Sequence, residues 1–274
     1  MTEFDPRTTA ARPDLAAEAL EGVVRAQRYV RPRPMQCVAP AAAIRREPGP
    51  GAEQTDQIIF GEAFEVLEQS GDWAWGQARR DGYVGWVEAA ALAGPVLAPT
   101  HRVAALRTYA FPEPDIKSTP TLLLTQNALV TAEGRDGRFV RIARGGWVVE
   151  SQLADFLEFE TDHVAVAERY LGAPYQWGGR ESVGLDCSGL VQQALYACGR
   201  ACPRDADMQA TSLGRAIDAS EAGRGDLVFW KDHVGLLVDA ERIVHANGWN
   251  MAVTIDALAA VTARAGDPVA YRRP

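Results

Sequence analysis

The stretch Tyr175–Val191, YQWGGRESVGLDCSGLV, decides how the chain is read. Its first half is punctuated by Gly178, Gly179 and Gly184, residues that suit a tight turn approached closely by another backbone. Its second half opens a helix. Asp186 stands where an N-cap belongs, and Leu190, Val191, Ala194, Leu195 and Cys198 recur at the three-and-four spacing of one buried face. Cys187 therefore falls in the first turn, where unpaired backbone N–H groups and the positive end of the helix dipole favour a thiolate. A thiol pKa below the ordinary value is expected on that ground. Most free cysteines are small buried hydrophobes; this one has glycine-lined access and two histidines downstream, which points to a nucleophile.

Those histidines lie in strand-like sequence. After a loop and short helical turn in CPRDADMQATSLG come GDLVFW, HVGLLVD, RIVHANG, MAVTIDAL and VAYRR, with His233 opening one strand and His245 in the next. A two-residue hairpin loop would send the two side chains to opposite faces; a three-residue loop or one bulge near Asp239–Glu241 brings them to the same face. The latter is expected, because a Cys-His pair needs a third polar group to fix the imidazole's orientation and tautomer. His233 is then the general base and acid, and His245 the orienting residue. Just upstream, Asp162 can cap a helix through HVAVAERYL that stops at Gly172 and Pro174.

The N-terminal half has a different texture. Residues 1–28 read as a polar lead-in with a short alanine-rich helix, DLAAEALEGVV, capped by Asp14. From Tyr29 onward, short apolar runs alternate in FEVLEQ and WAWGQA and are broken at Ser70-Gly71-Asp72 and Asp81-Gly82, the pattern of a small β-barrel. A weaker copy follows, with a turn at Gly134 to Gly137, and ends on Gly146-Trp147-Val148 as the first copy ends on Gly85-Trp86-Val87. Tryptophans in such barrels fill the core.

Composition bounds the function. The 274 residues, 47% hydrophobic and 23% charged, are those of an ordinary globular chain, and a net charge of −8 with no basic stripe argues against nucleic acid as a partner. MTEFDPRTTAARPDL has no apolar core of a secretory signal and no run approaches a membrane span, so a cytoplasmic location without membrane association is the expectation. Cys37, Cys187, Cys198 and Cys202 are too few for a disulfide framework, and Cys198 and Cys202 have no third ligand nearby in sequence; neither metal nor cofactor is expected.

Tyr175-x-Trp177-Gly178-Gly179, Asp186-Cys187-Ser188-Gly189-Leu190-Val191, Pro203-Arg204, Gly225-Asp226-Leu227-Val228-Phe229, His233-Val234-Gly235 and His245 appear in the order of the NlpC/P60 cysteine peptidases, which the chain resembles over about residues 162 to 273. Gly82-Tyr83-Val84-Gly85-Trp86-Val87 resembles the closing signature of bacterial SH3-like (SH3b) domains; the second copy lacks the tyrosine. The resemblance implies an α+β architecture. It places a helical lead-in at 1–28, SH3b barrels at 29–95 and 96–158, and a papain-like peptidase domain at 159–274, with Cys187, His233 and His245 as triad. The Cys187 N–H and the Tyr175 hydroxyl would serve the oxyanion.

Two SH3b domains before the peptidase resemble the subfamily that cuts murein peptides between γ-D-glutamate and a diamino acid, diaminopimelate or lysine. That resemblance implies a murein peptide partner with a free N-terminal L-alanine, held by Glu62, Tyr83 and Asp186. Ser188, Arg204 and Asp205 would line the pocket, with Arg204 serving the glutamate carboxylate. Alternatives from other classes are a silent peptide-binding protein, against which the intact Cys187, His233 and His245 argue, and a thiol amidase or acyltransferase on another substrate. Oligomeric state is left open.

Overall fold

Alternation builds the first β region. Along Ala63–Ser70, Phe64 and Val66 face one core, and a register shift between Val66 and Glu68 turns Leu67 toward another. The tight turn at Gly71 (φ +57°) and Asp72 returns the chain as Trp73–Ala78. In the computed structural model, which describes residues 4–274, these strands belong to a seven-stranded sheet drawn from residues 33–93.

The lead-in departs from its expected helix. Leu15–Ala17 is a strand paired in parallel with Arg28–Val30, and only Glu18–Leu20 makes a short 3-10 turn. Leu15 and Ala17 are buried against Leu67 and Trp75, so tertiary burial overrides an alanine-rich propensity. Asp14 accordingly caps nothing and pairs with Arg12 at 2.8 Å.

Residues 101–155 form three small sheets of two or three strands rather than a copy of the seven-stranded one. Their core contains Val103, Leu124, Val140 and Val148 together with Ile59 and Phe60 of the first region. Leu129 N–H donates to the Phe60 carbonyl at 2.9 Å. The two β regions therefore make one compact unit, Met1–Val103 with Arg107–Phe156.

The second unit, Leu157–Pro274 with Ala104–Leu106, is α+β. Asp162 caps helix α1 (His163–Glu168) by accepting from the N–H groups of Val164 and Ala165. Helix α2 is Cys187–Ala197, α3 is Ala206–Ser212 and α4 is Leu258–Ala265. Six antiparallel strands lie in the order Arg215–Ala216, Ala270–Arg273, Leu227–Trp230, His233–Leu237, Arg242–Asn247, Ala252–Ala257. One face, through Leu236, Val234, Val244 and Ala246, packs on α1 and α2. The other, through Leu237 and Ile243, packs on Val261 of α4. Among the described residues no helix is long and apolar enough to cross a membrane, and all four cysteines are free.

Gly235 is needed where the His233 strand meets its neighbour. A Cβ there would lie 2.6 Å from Ile243 Cδ1 and 3.0 Å from His245 Cβ. Gly235→Ala is expected to cost about 1–3 kcal/mol by overpacking, read as a lower urea midpoint with an unchanged m-value.

Candidate active site

The local order begins at Asp186. Its Oδ1 accepts from the Gly189 N–H at 2.8 Å as the N-cap of α2, and its Oδ2 accepts from the Gly178 N–H at 2.8 Å. One carboxylate thus joins the glycine turn to the helix start. Arg204 binds the same carboxylate bidentately, Nη1 to Oδ1 at 2.9 Å and Nη2 to Oδ2 at 2.6 Å, and donates to Ser188 Oγ at 2.8 Å. Both members of this pair are buried. Arg204, expected from sequence to serve a substrate carboxylate, is thereby bound to Asp186, and Ser188 is part of the same network. Asp205 stands at the N-cap position of α3, partly exposed and without a side-chain cap bond.

Cys187 is the first residue of α2 and is buried. Burial pushes its thiol up to about 12, the Asp186 charge adds to that, and hydrogen bonds from the Val234 and Ser188 backbone oppose it. The helix-start effect expected from sequence is present, yet desolvation outweighs it, so the resting group is a thiol. Val234 follows His233, so its contact sets the sulfur beside the start of the histidine strand.

The hairpin turns as expected. Leu236 pairs with Val244 and Leu237 with Ile243, and the Val238 N–H donates to the Arg242 carbonyl, leaving a loop of Asp239, Ala240 and Glu241. This register puts His233 and His245 on one face, with His233 Nε2 2.7 Å from His245 Nδ1. Burial brings His233 down to about 4, helped by His245. His245 is lowered by burial too, against the pull of Asp256. Trp230, paired with His233 across the sheet, packs on its ring at 5.7 Å between centroids.

Tyr175 completes the cluster from the glycine turn. Its N–H donates to the Met251 carbonyl, and burial, then the proximity of Cys187 and Asp186, raises its phenol above the ordinary range. It is a neutral hydroxyl donor. A cavity of about 190 Å³ opens beside the imidazoles, with Trp249, Asn247 and Arg264 on its walls. Trp249, Asp256 and Arg264 were not singled out by sequence; the Leu258, Val261 and Ala265 spacing followed by Gly266 is the signal that could have revealed α4.

Glu62 and Tyr83 belong to the first unit and are buried there. Glu62 Oε2 accepts from the Ile59 N–H at 3.1 Å and its Oε1 is 3.4 Å from Arg80 Nε, so this carboxylate holds its own turn. Tyr83 lies in the apolar core of the seven-stranded sheet.

A profile of the NlpC/P60 family matches residues 172–264, and one described as a bacterial dipeptidyl-peptidase Sh3 domain matches residues 44–92. The γ-D-glutamyl-L-lysine dipeptidyl-peptidase of Bacillus subtilis is 30% identical over 216 residues, 69% of this chain and 71% of that protein. The chain belongs to the NlpC/P60 family. Dipeptidyl-peptidase 6 of Lysinibacillus sphaericus is 27% identical over 81% of this chain and 90% of its own length. An NlpC/P60 family protein from Bacillus cereus shares the fold, with a TM-score of 0.78 at 19% identity over 88% of this chain and 99% of that one. This NlpC/P60 protein is a cysteine peptidase whose relatives are named as dipeptidyl-peptidases, one of them for a γ-D-glutamyl-L-lysine substrate. The Sh3 profile covers the first β region alone.

Three outcomes are expected for this NlpC/P60 site. The ultraviolet thiolate band in the difference between wild type and Cys187→Ala is absent at neutral pH. The acid limb of kcat/KM lies well below the ordinary histidine range, since His233 stays neutral down to about 4 and loses its basic lone pair only on protonation there. Arg204→Met, which strands the buried Asp186 charge, lowers unfolding free energy by about 3–5 kcal/mol in chemical denaturation.

Proposed function

We propose that this NlpC/P60 peptidase hydrolyses the bond between γ-D-glutamate and a diamino acid in murein peptides that carry a free N-terminal L-alanine. The reaction would recycle released wall peptides inside the cell. The observation that carries this reading is the His233–His245 imidazole pair, 2.7 Å apart, at the strand start whose Val234 N–H meets the Cys187 sulfur. The names of the Bacillus and Lysinibacillus relatives supply the bond class.

In this reading His233 Nδ1, the ring atom not used by His245, takes the thiol proton as sulfur attacks the γ-carbonyl carbon. The oxyanion receives the Cys187 N–H, which lies outside the helix's own hydrogen-bond ladder, and the Tyr175 hydroxyl. The carbon–nitrogen bond breaks as the leaving amine takes the proton back from His233. Water then opens the thioester, again with His233 as base. The neutral pair suits this sequence, because charge develops only as the thiol proton moves. Asp186 and Arg204 support the reading by fixing the helix start rather than by holding free charges. Residues 101–155 fit a diverged second SH3b copy, ending on Trp147 as the first ends on Trp86.

Mass spectrometry of L-Ala-γ-D-Glu-diaminopimelate and of the lysine peptide, each free and N-acetylated, tests the proposal. Release of L-Ala-γ-D-Glu from the free-amine peptides, abolished in Cys187→Ala, is the expected result. Equal cleavage of the acetylated peptides would remove the amine requirement; no cleavage of any would remove the substrate.

A further inference from the structure

His245 has two neighbours at its outer nitrogen, and they demand opposite tautomers. Nε2 is 3.4 Å from Asp256 Oδ2 and 3.3 Å from Asn247 Nδ2. A bond from Asn247 would need a bare Nε2, leaving the ring proton on Nδ1. A bond to Asp256 needs the proton on Nε2, because a carboxylate only accepts.

The partners of Asn247 decide between them. Its Nδ2 already reaches Thr254 Oγ1 at 2.9 Å and the Ala252 carbonyl at 3.4 Å. Its Oδ1 accepts from the Asn250 N–H at 2.7 Å, so the amide cannot be turned over without losing that bond. Both donor hydrogens of Asn247 are thus provided for elsewhere. Asp256 lies on the next strand, paired with Ile243, and Arg264 of α4 donates to the same Oδ2 at 3.4 Å. Arg264 is itself steadied by the Ala260 carbonyl and by Trp249, 5.5 Å below its guanidinium.

We infer that Asp256 is a positioning residue for the proposed reaction: by accepting from His245 Nε2–H it sets the tautomers of both imidazoles and leaves His233 Nδ1 bare for the thiol proton. With Nε2 protonated, His245 presents a bare Nδ1 to its 2.7 Å partner, which then donates from His233 Nε2. With the opposite tautomer, the ring proton of His233 would sit on Nδ1 and the base would be blocked. The charged groups acting on the pair are Asp256 from its strand and Arg264 from α4, and the Cys187 sulfur meets the backbone of Val234 beside the start of the His233 strand. When His233 takes the proton, Asp256 also balances the charge through His245.

This inference rests on the proposed peptidase reading, and its test separates the two. Long-range ¹H–¹⁵N spectra of the full chain labelled in histidine, at neutral pH, are expected to show protonated Nε2 and bare Nδ1 on both His233 and His245. The reverse tautomers in the wild type would overturn the inference, whatever the substrate proves to be. Asp256→Asn, whose amide can donate to His245 Nε2, is expected to reverse both tautomers. It should lower kcat by about a hundredfold or more, the scale of a lost general base, with KM unchanged and the acid limb moved to lower pH. Asp256→Glu should restore part of kcat. A tautomer pattern and kcat unmoved by Asp256→Asn would overturn the inference, as would a change confined to KM or to the melting temperature. If no murein peptide is cut, the spectra and the rate of Cys187 alkylation still decide it while the substrate assignment alone fails.

Discussion

One buried carboxylate sets the geometry on which the peptidase unit depends. Asp186 takes hydrogen bonds from Gly178, Gly189 and both terminal nitrogens of Arg204. The turn before the nucleophile, the helix that carries it and the loop leading to α3 are therefore tied at a single point. Such a pair contributes little net stability over an apolar replacement, yet losing either partner leaves a charge with no water to receive it. Its worth is in specifying where Cys187 stands relative to the sheet.

The second constraint is dryness. The unit buries the cysteine, His245 and Trp230 and half-buries His233, and burial leaves both the thiol and the His233 imidazole neutral at neutral pH. A neutral thiol beside a neutral base forgoes standing nucleophilicity and gains selectivity, since charge appears only when a bound carbonyl is ready to share it. On the proposed reading, the column of Asp256, His245 and His233 suits such a site by holding both imidazoles in one tautomer.

Much of this was legible in the sequence because it is local. The Asp186 cap, the α2 face, the five strands and the three-residue loop between the histidine strands all follow from spacing and turn chemistry. What escaped depends on distant residues. The helix start favours a more acidic thiol, whereas burial beside the His233 strand decides it. DLAAEALEGVV has helical composition, yet Leu15 and Ala17 fit against Trp75 and Leu67, and a strand is the shape that reaches them. Glu62 is expected from the resemblance to hold a substrate amine, and the structure adds that its carboxylate accepts from the Ile59 N–H. Helix α4, with Arg264, lay hidden because two adjacent alanine-rich turns blur its periodicity against the preceding strand.

The parallel pairing of Leu15–Ala17 with Arg28–Val30 has a consequence for how the chain can be cut. The seven-stranded sheet has apolar side chains on both faces, Val66 on one and Leu67 on the other, and residues 10–17 cover the second. A version started at Arg33, the first residue of the sheet proper, would keep every ladder hydrogen bond of that sheet and yet present Leu67 and Trp75 to water. The leading residues act as a permanently docked ligand of the sheet, joined to it by their own chain.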